Sequence, residues 1–154
     1  MKDIIYLKGD ATESIGTGHK IIAHVCNNKG GWGRGFVLDI SKKWKEPEEL
    51  YRGMDELILG DTFGVEVEPD IIVFNMIAQD GYKRKDNTVA IRYDALRECF
   101  ERLLNYIDWC DEKDISIHMP RIGCGLAGGS WDKIEPIIKE ILCKNNIQVY
   151  VYDL

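Results

Sequence analysis

The chain has 154 residues, 45% of them hydrophobic, and a formal net charge of −6. That length and apolar fraction predict one domain, residues 1–154, with a sizeable core. The acidic balance argues against general nucleic-acid binding, and no stretch reaches the roughly 18 consecutive apolar residues of a membrane helix.

The start, MKDIIYLKGD, lacks the apolar core of a signal peptide, so the expected location is the cytoplasm. Within it, DIIYLKG reads as a first strand, and KIIAHVC as a second. In GFVLDISKKWK, residues Phe36, Val37, Ile40 and Trp44 recur at helical spacing. Pro47 opens a further helical segment, PEELYRGMDELIL. TFGVEVE alternates like a half-exposed strand, while DIIVFNMIA is a continuous apolar run, the mark of a buried central strand.

The loop QDGYKRKDNT leads to the clearest helix, with Leu96, Cys99, Phe100, Leu103, Leu104 and Ile107 on one face. DISIHMP is the next strand. Ser130 is placed to cap a helix whose stripe is Ile134, Ile137, Ile138, Ile141 and Leu142. Pro136 lacks a backbone donor, so that helix is expected to start near Glu135 or to carry an irregular first turn. IQVYVYDL closes the chain as a strand. Alternating strands and helices predict an α/β protein with a largely parallel sheet. Ligands bind such sheets beyond the carboxyl ends of the strands.

Five cysteines, Cys26, Cys99, Cys110, Cys124 and Cys143, form no CxxC pair and no Cys/His set at zinc spacing. Reduced thiols and no metal are expected. The short basic runs, Lys42, Lys43, Lys45 and Lys83, Arg84, Lys85, read as solvated faces.

Two glycine-rich stretches stand out. CNNKGGWGRG, Cys26 to Gly35, and PRIGCGLAGGSW, Pro120 to Trp131, each follow a predicted strand and precede a predicted helix. Free N–H groups in such loops and at helix starts bind phosphate oxygens, so two loops in matching places would hold a diphosphate. Neither loop is a Walker motif, and neither carries GxGxxG at the first strand-to-helix turn. The plain alternative is that the glycines only make tight turns.

Taken together, these residues resemble the macrodomain family of ADP-ribose binders over nearly the whole chain. KGDAT, Lys8 to Thr12, looks like the family's first-strand signature. IAHVCNNKGGWGRGF looks like its first phosphate loop, MPRIGCGLAGGSW like its second, and VYVYDL like its last strand. The pattern is closest to the compact branch of ADP-ribose-1″-phosphate phosphatases and the hydrolase that removes ADP-ribose from acidic side chains. The resemblance implies a three-layer α/β/α fold around a mixed, largely parallel sheet, and no cofactor. It implies ADP-ribose, a derivative, or an ADP-ribosylated macromolecule as partner.

It also implies roles. Asp10, flanked by Gly9 and Ala11, would accept the adenine amino group, and Tyr152 would pack on the adenine. Gly30, Gly31, Gly33 and Gly35, with Gly123, Cys124, Gly125, Leu126, Ala127 and Gly128, would wrap the diphosphate. Arg34 would add charge, Trp32 would cover the ribose, and Gln79, Arg121 and Ile122 would complete the binding set. Asn27 and Asn28 would lie beside the distal ribose, although asparagines in a turn also serve the turn itself.

Catalysis is less clearly written. The branch acting on acidic side chains uses an Asp directly after GCGL and a Lys at the end of the central strand. Here the first position is Ala127, and Asn75 to Gln79 holds no Lys. The related phosphatases carry a His just before the first loop, where this chain has His24. A histidine near neutral pKa serves as acid or base, and the alternative is a satisfied core residue. His24, Asn27 and Asn28 form the candidate catalytic set. His118, Cys26 and Cys124 read as structural. Three functional readings follow: a hydrolase acting at the distal ribose, a non-catalytic module that captures ADP-ribose or a related nucleotide signal, and an unrelated nucleotide-binding α/β protein.

Overall fold

The computed structural model describes residues 1–81, 90–125 and 127–154. The basic run Lys83 to Lys85 and the candidate Leu126 lie outside the described residues. Among those described, six strands form one sheet: β1 (Ile5–Lys8), β2 (His19–Asn27), β3 (Thr62–Glu68), β4 (Ile71–Gln79), β5 (Ile115–Pro120) and β6 (Gln148–Asp153). Their order is β1-β6-β5-β2-β4-β3. Only β3 runs against its neighbour; the other pairings are parallel. The carboxyl ends of β1, β6, β5, β2 and β4 therefore share one edge. Because β2 and β5 are neighbours, both glycine loops leave that edge side by side.

Among the described residues four α-helices cover the faces: α1 (Phe36–Lys43), α2 (Glu46–Arg52), α3 (Tyr93–Trp109) and α4 (Trp131–Ile141). Period-2 alternation along the strands divides the core in two. Ile22, Cys26, Val73 and Ile77 pack under α1 and α2, meeting Val37, Ile40, Trp44 and Tyr51. Ile21, Ala23, Met76, Ile117 and Met119 point the other way, onto α3 and α4. The predicted stripe of α3 buries Leu96, Cys99, Phe100 and Leu103. The fold is thus the three-layer α/β/α arrangement with a mixed, mostly parallel sheet.

Three local expectations need correction. The second helical segment stops at Arg52, with Gly53 at its C-cap, and residues 54–58 run as irregular chain. Leu57 and Leu59 still reach the core from that irregular chain. Helix α4 starts at Trp131, so Pro136 sits inside it. One lost backbone bond at an exposed position is outweighed by burying Ile134, Ile137, Ile138 and Ile141, each worth roughly 1.5–3 kcal/mol. Ser130 holds the cap position, but its side chain makes no capping bond; its own N–H donates to the Tyr93 hydroxyl at 3.0 Å. Among the described residues, no helix is long and apolar enough to cross a membrane.

Candidate functional site

A cleft of about 870 Å³ opens between the two glycine loops, well within the size range of small-ligand sites. It is lined by His24, Val25, Cys26 and Asn27 from β2, by Gly30 to Val37, by Arg52 and Gln79, and by Pro120 to Gly123, Gly125 and Ala127. Where β2 delivers Asn27, its register against β4 shifts, so that Cys26 faces Ile77 and Asn27 faces Gln79. Such a bulge re-aims the chain at the mouth of a site.

The first loop is organised by side chains. Asn27 Nδ2 donates to the Gly31 carbonyl at 2.8 Å, and its Oδ1 accepts the N–H groups of Lys29 and Gly31 at 2.8 and 3.2 Å. The buried Tyr51 hydroxyl donates to the Asn27 carbonyl at 2.6 Å and accepts the Gly30 N–H at 3.1 Å. Trp32 is buried against Tyr51, and its indole N–H donates to Ser41 Oγ of α1 at 2.7 Å. The N–H groups of Lys29, Gly30 and Gly31 are thus used within the protein. Those of Gly33, Arg34, Gly35 and Phe36 have no protein acceptor among the described residues. Gly35 makes this possible. Its φ of 81° and ψ of −148° suit only glycine, and they turn the chain into the first turn of α1.

The second loop is organised by its own backbone. Gly129 N–H donates to the Gly123 carbonyl at 2.7 Å, and Gly128 N–H to that of Gly125 at 3.1 Å. The Ala127 carbonyl accepts from Ala90 and Ile91, fixing the loop to the chain before α3. Gly129 must be glycine, because a Cβ there would lie 2.5 Å from the Gly123 oxygen. A Cβ on Gly125 would meet nothing within 4 Å, being open to the cleft. The N–H groups of Gly123, Cys124 and Gly125 have no protein acceptor among the described residues.

Every charged side chain among the described lining residues is an arginine: Arg34, Arg52 and Arg121. Arg52 pairs with Glu48 at 2.8 Å and Arg121 with Asp153 at 2.6 Å, whereas Arg34 has no ion-pair partner among the described residues. An acidic protein therefore lines this cleft with arginines and, on two sides, with loop N–H groups that have no acceptor among the described residues, which suits an anion.

His24 sits in the floor, 1% exposed. Its Nε2 donates to Asn75 Oδ1 at 2.5 Å, and Asn75 Nδ2 donates in turn to the Pro47 carbonyl at 3.0 Å. Burial lowers its pKa to about 4, so the ring is neutral at pH 7. Its edges pack against Trp32 and Phe36. This is the geometry of a satisfied core histidine that props the first loop, not of a proton carrier near neutrality. Burial also raises the thiol pKa values of Cys26 and Cys124, in keeping with unreactive thiols.

Fourteen of the predicted positions line this one cleft: His24, Asn27, Gly30, Gly31, Trp32, Gly33, Arg34, Gly35, Gln79, Arg121, Ile122, Gly123, Gly125 and Ala127. Asn28 does not. Its Oδ1 accepts the Gly81 N–H at 2.9 Å and its Nδ2 donates to Asp80 at 3.2 Å, which ties the loop to the end of β4. The amides of both asparagines thus serve the turn rather than an open ribose pocket. Trp32 is part of the buried wall rather than a cover. Cys124 and Gly128 belong to the second loop without lining the cleft.

Gly9, Asp10, Ala11 and Tyr152 lie outside the lining, at the β1–β6 end of the same edge. Asp10 Oδ1 accepts from Thr12 N–H and Oγ1, both at 2.8 Å. Tyr152 is buried, and its hydroxyl bonds His118 Nδ1 at 2.7 Å and the Ile15 N–H at 3.1 Å. Tyr51, Asn75 and Arg52 were not foreseen. Tyr51 and Arg52 belong to a seven-residue helix, EPEELYR, too short to show an apolar period, and Asn75 is one polar residue in an apolar strand.

Fold and site together define a three-layer α/β protein that presents two backbone-lined glycine loops to a single cleft. No family model matches the chain. A Bacteroides thetaiotaomicron protein of unknown function is 51% identical, with a TM-score of 0.93 and 99% of both chains covered. A macrodomain protein from Streptomyces coelicolor is 41% identical, with a TM-score of 0.84 and again 99% of both chains covered. An ADP-ribose 1″-phosphate phosphatase from Candida albicans is 29% identical over 157 residues, covering 97% of this chain and 98% of that protein. The chain belongs to the macrodomain family.

Proposed function

We propose that the cleft binds ADP-ribose or a close derivative and that the protein hydrolyses a group from the distal ribose, with ADP-ribose 1″-phosphate as the first candidate substrate. The observation that carries this reading is that Gly33 to Phe36 on one loop, and Gly123 and Gly125 on the other, line one cleft with N–H groups that have no acceptor among the described residues, and that the cleft's charged lining is arginine. A diphosphate bridging the two sets satisfies both at once. The name of the Candida albicans relative supports the phosphatase form. A cytoplasmic location goes with this reading.

In that reaction water attacks phosphorus, a new P–O bond forms, and the bond from phosphorus to the ribose 1″ oxygen breaks. The leaving oxygen gains a proton, giving phosphate and ADP-ribose. The protein's contribution is positioning by the two loops and stabilisation of developing negative charge by N–H groups and Arg34. His24 supports the first loop from beneath. With no Lys, Asp or Glu among the described lining residues, turnover is slow. That same observation favours a second reading, a non-catalytic module that captures ADP-ribose.

Calorimetry with ADP-ribose and phosphate release from ADP-ribose 1″-phosphate separate these outcomes. Binding with phosphate release is expected. Binding without release leaves the capture module, and no binding at millimolar ligand removes both readings.

A further inference from the structure

The three arginines of the cleft are spent to different degrees. Arg121 makes a two-point contact with Asp153, Nε to Oδ1 at 2.6 Å and Nη2 to Oδ2 at 3.0 Å. Arg34 has no ion-pair partner among the described residues and lies within the run Gly33 to Phe36, whose N–H groups have no acceptor there. Arg52, the last residue of α2, stands between these cases. Its Nε donates to Glu48 at 2.8 Å, and its Nη1 donates weakly to the Gly30 carbonyl at 3.4 Å. Its Nη2 has no acceptor among the described residues. The side chain is 53% exposed and lines the cleft.

The contact with Glu48 belongs to a longer chain of bonds. The Glu48 carboxylate also accepts the Ser41 hydroxyl at 2.9 Å, and Ser41 Oγ accepts the indole N–H of Trp32 at 2.7 Å. The bond from Arg52, with that from Ser41 behind it, lowers the Glu48 pKa, so this carboxylate is ionised at pH 7. One guanidinium is thereby held beside the Gly30 turn by residues of α2, α1 and the first loop.

At that turn the backbone has little left for an anion. The N–H groups of Lys29 and Gly31 go to Asn27, that of Gly30 goes to Tyr51, and Gln79 Nε2 goes to the Gly81 carbonyl at 2.9 Å. Among the described lining residues, Arg52 is therefore the charged donor beside this turn, apart from the N–H groups that suit a diphosphate. A ligand whose charge is all in its diphosphate has no use for it. A ligand with a further phosphate needs a second cationic donor. Arg121 suits that role poorly, because its two-point contact is already made.

We infer that Arg52 is a specificity-determining residue that donates to a terminal phosphate, so that the cleft prefers ADP-ribose 1″-phosphate to ADP-ribose. This inference rests on the ADP-ribose reading and adds to it a means of telling substrate from product. Hydrolysis removes the charge that Arg52 holds, and ADP-ribose then leaves more readily than the substrate does.

The test compares both ligands on the wild-type chain, Arg52→Ala and Arg52→Lys, each checked for folding by its Tm. Calorimetry gives Kd for ADP-ribose. Initial rates give KM and kcat for ADP-ribose 1″-phosphate, and KM reports binding when turnover is slow. If no phosphate is released, calorimetry gives that Kd as well. The wild-type chain should favour the phosphorylated ligand about tenfold, the scale of one hydrogen bond between charged groups. Arg52→Ala should bring the ratio of affinities to about one. Arg52→Lys keeps the charge without the fork and should retain a preference of roughly two- to threefold. Added salt should shrink the wild-type preference and leave the ratio of the alanine variant where it is.

Equal affinity of the wild-type chain for the two ligands overturns the inference and leaves the ADP-ribose reading standing. So does an Arg52→Ala chain that keeps the full preference, or one that loses affinity for both ligands by the same factor, which would make Arg52 part of the frame of the first loop. Absence of ADP-ribose binding by the wild-type chain overturns the functional reading and the inference with it.

Discussion

The two glycine loops face the same cleft but are built by opposite means. The first, leaving β2, is held by side chains: Asn27, at its own start, takes the N–H groups of Lys29 and Gly31, while Tyr51 takes that of Gly30 and the Trp32–Ser41 bond ties the loop to α1. The second, leaving β5, folds on its own backbone through the Gly129–Gly123 and Gly128–Gly125 bonds. Similar glycine content thus hides different dependencies. Changes in distant side chains should disturb the first loop, whereas only changes to the backbone itself should disturb the second.

The largest effect is expected at Gly125. A Cβ there meets open cleft, so Gly125→Glu should fold normally. Its carboxylate would sit in the anion site and weaken ADP-ribose binding roughly a hundredfold or more, through several kcal/mol of like-charge repulsion. Calorimetry beside a thermal melt checks this; undiminished affinity would mean that the second loop does not touch the diphosphate.

Next in size is the acid limb of stability, which probes the floor of the first loop. The unfolded chain protonates histidine near pH 6.5, while His24 in the fold resists protonation until about pH 4. The unfolded state therefore binds more protons between those values. The contribution is fully present above pH 6.5 and drains as pH falls toward 4, on the order of 3 kcal/mol in all. His118 is lowered likewise to about 4 by burial. Urea unfolding as a function of pH should show a shallower slope in His24→Gln, and an unchanged slope would place His24 in a more solvated state.

Gly129→Ala and Tyr51→Phe contrast the loops directly. The first forces a methyl against the Gly123 oxygen and Ile91 and should destabilise the fold by about 2 kcal/mol. Tyr51→Phe keeps the ring, removes the hydroxyl, and leaves the Gly30 N–H unpaired. It should cost about 1–2 kcal/mol. ADP-ribose affinity should fall with it, because the Gly30 turn sets the course of the loop toward Gly35. Loss in the second loop but none from Tyr51→Phe would mean that the first loop, too, holds itself.

This asymmetry also explains what could be read from the chain beforehand. Apolar periods placed the strands of the sheet and the long helix α3, and glycines after strands marked both loops. Those signals are local. The ties from Asn28 to the end of β4, the Tyr51 hub and the Asn75 bridge beneath His24 are contacts between elements far apart in sequence, and each rests on a single residue with no period to reveal it. The early end of α2 and the continuous helix through Pro136 were misjudged for a related reason. Tertiary burial, as at Leu57 and Ile134, overrode the local preference for or against helix.

On the proposed reading both loops grip one diphosphate. A crystal structure of the chain with ADP-ribose tests it most directly. Diphosphate oxygens should lie about 2.7–3.2 Å from N–H groups in Gly33 to Phe36 and, on the opposite side, in Gly123 to Gly125. A nucleotide held by one loop alone, or with its diphosphate on the Arg121–Asp153 pair, would contradict it.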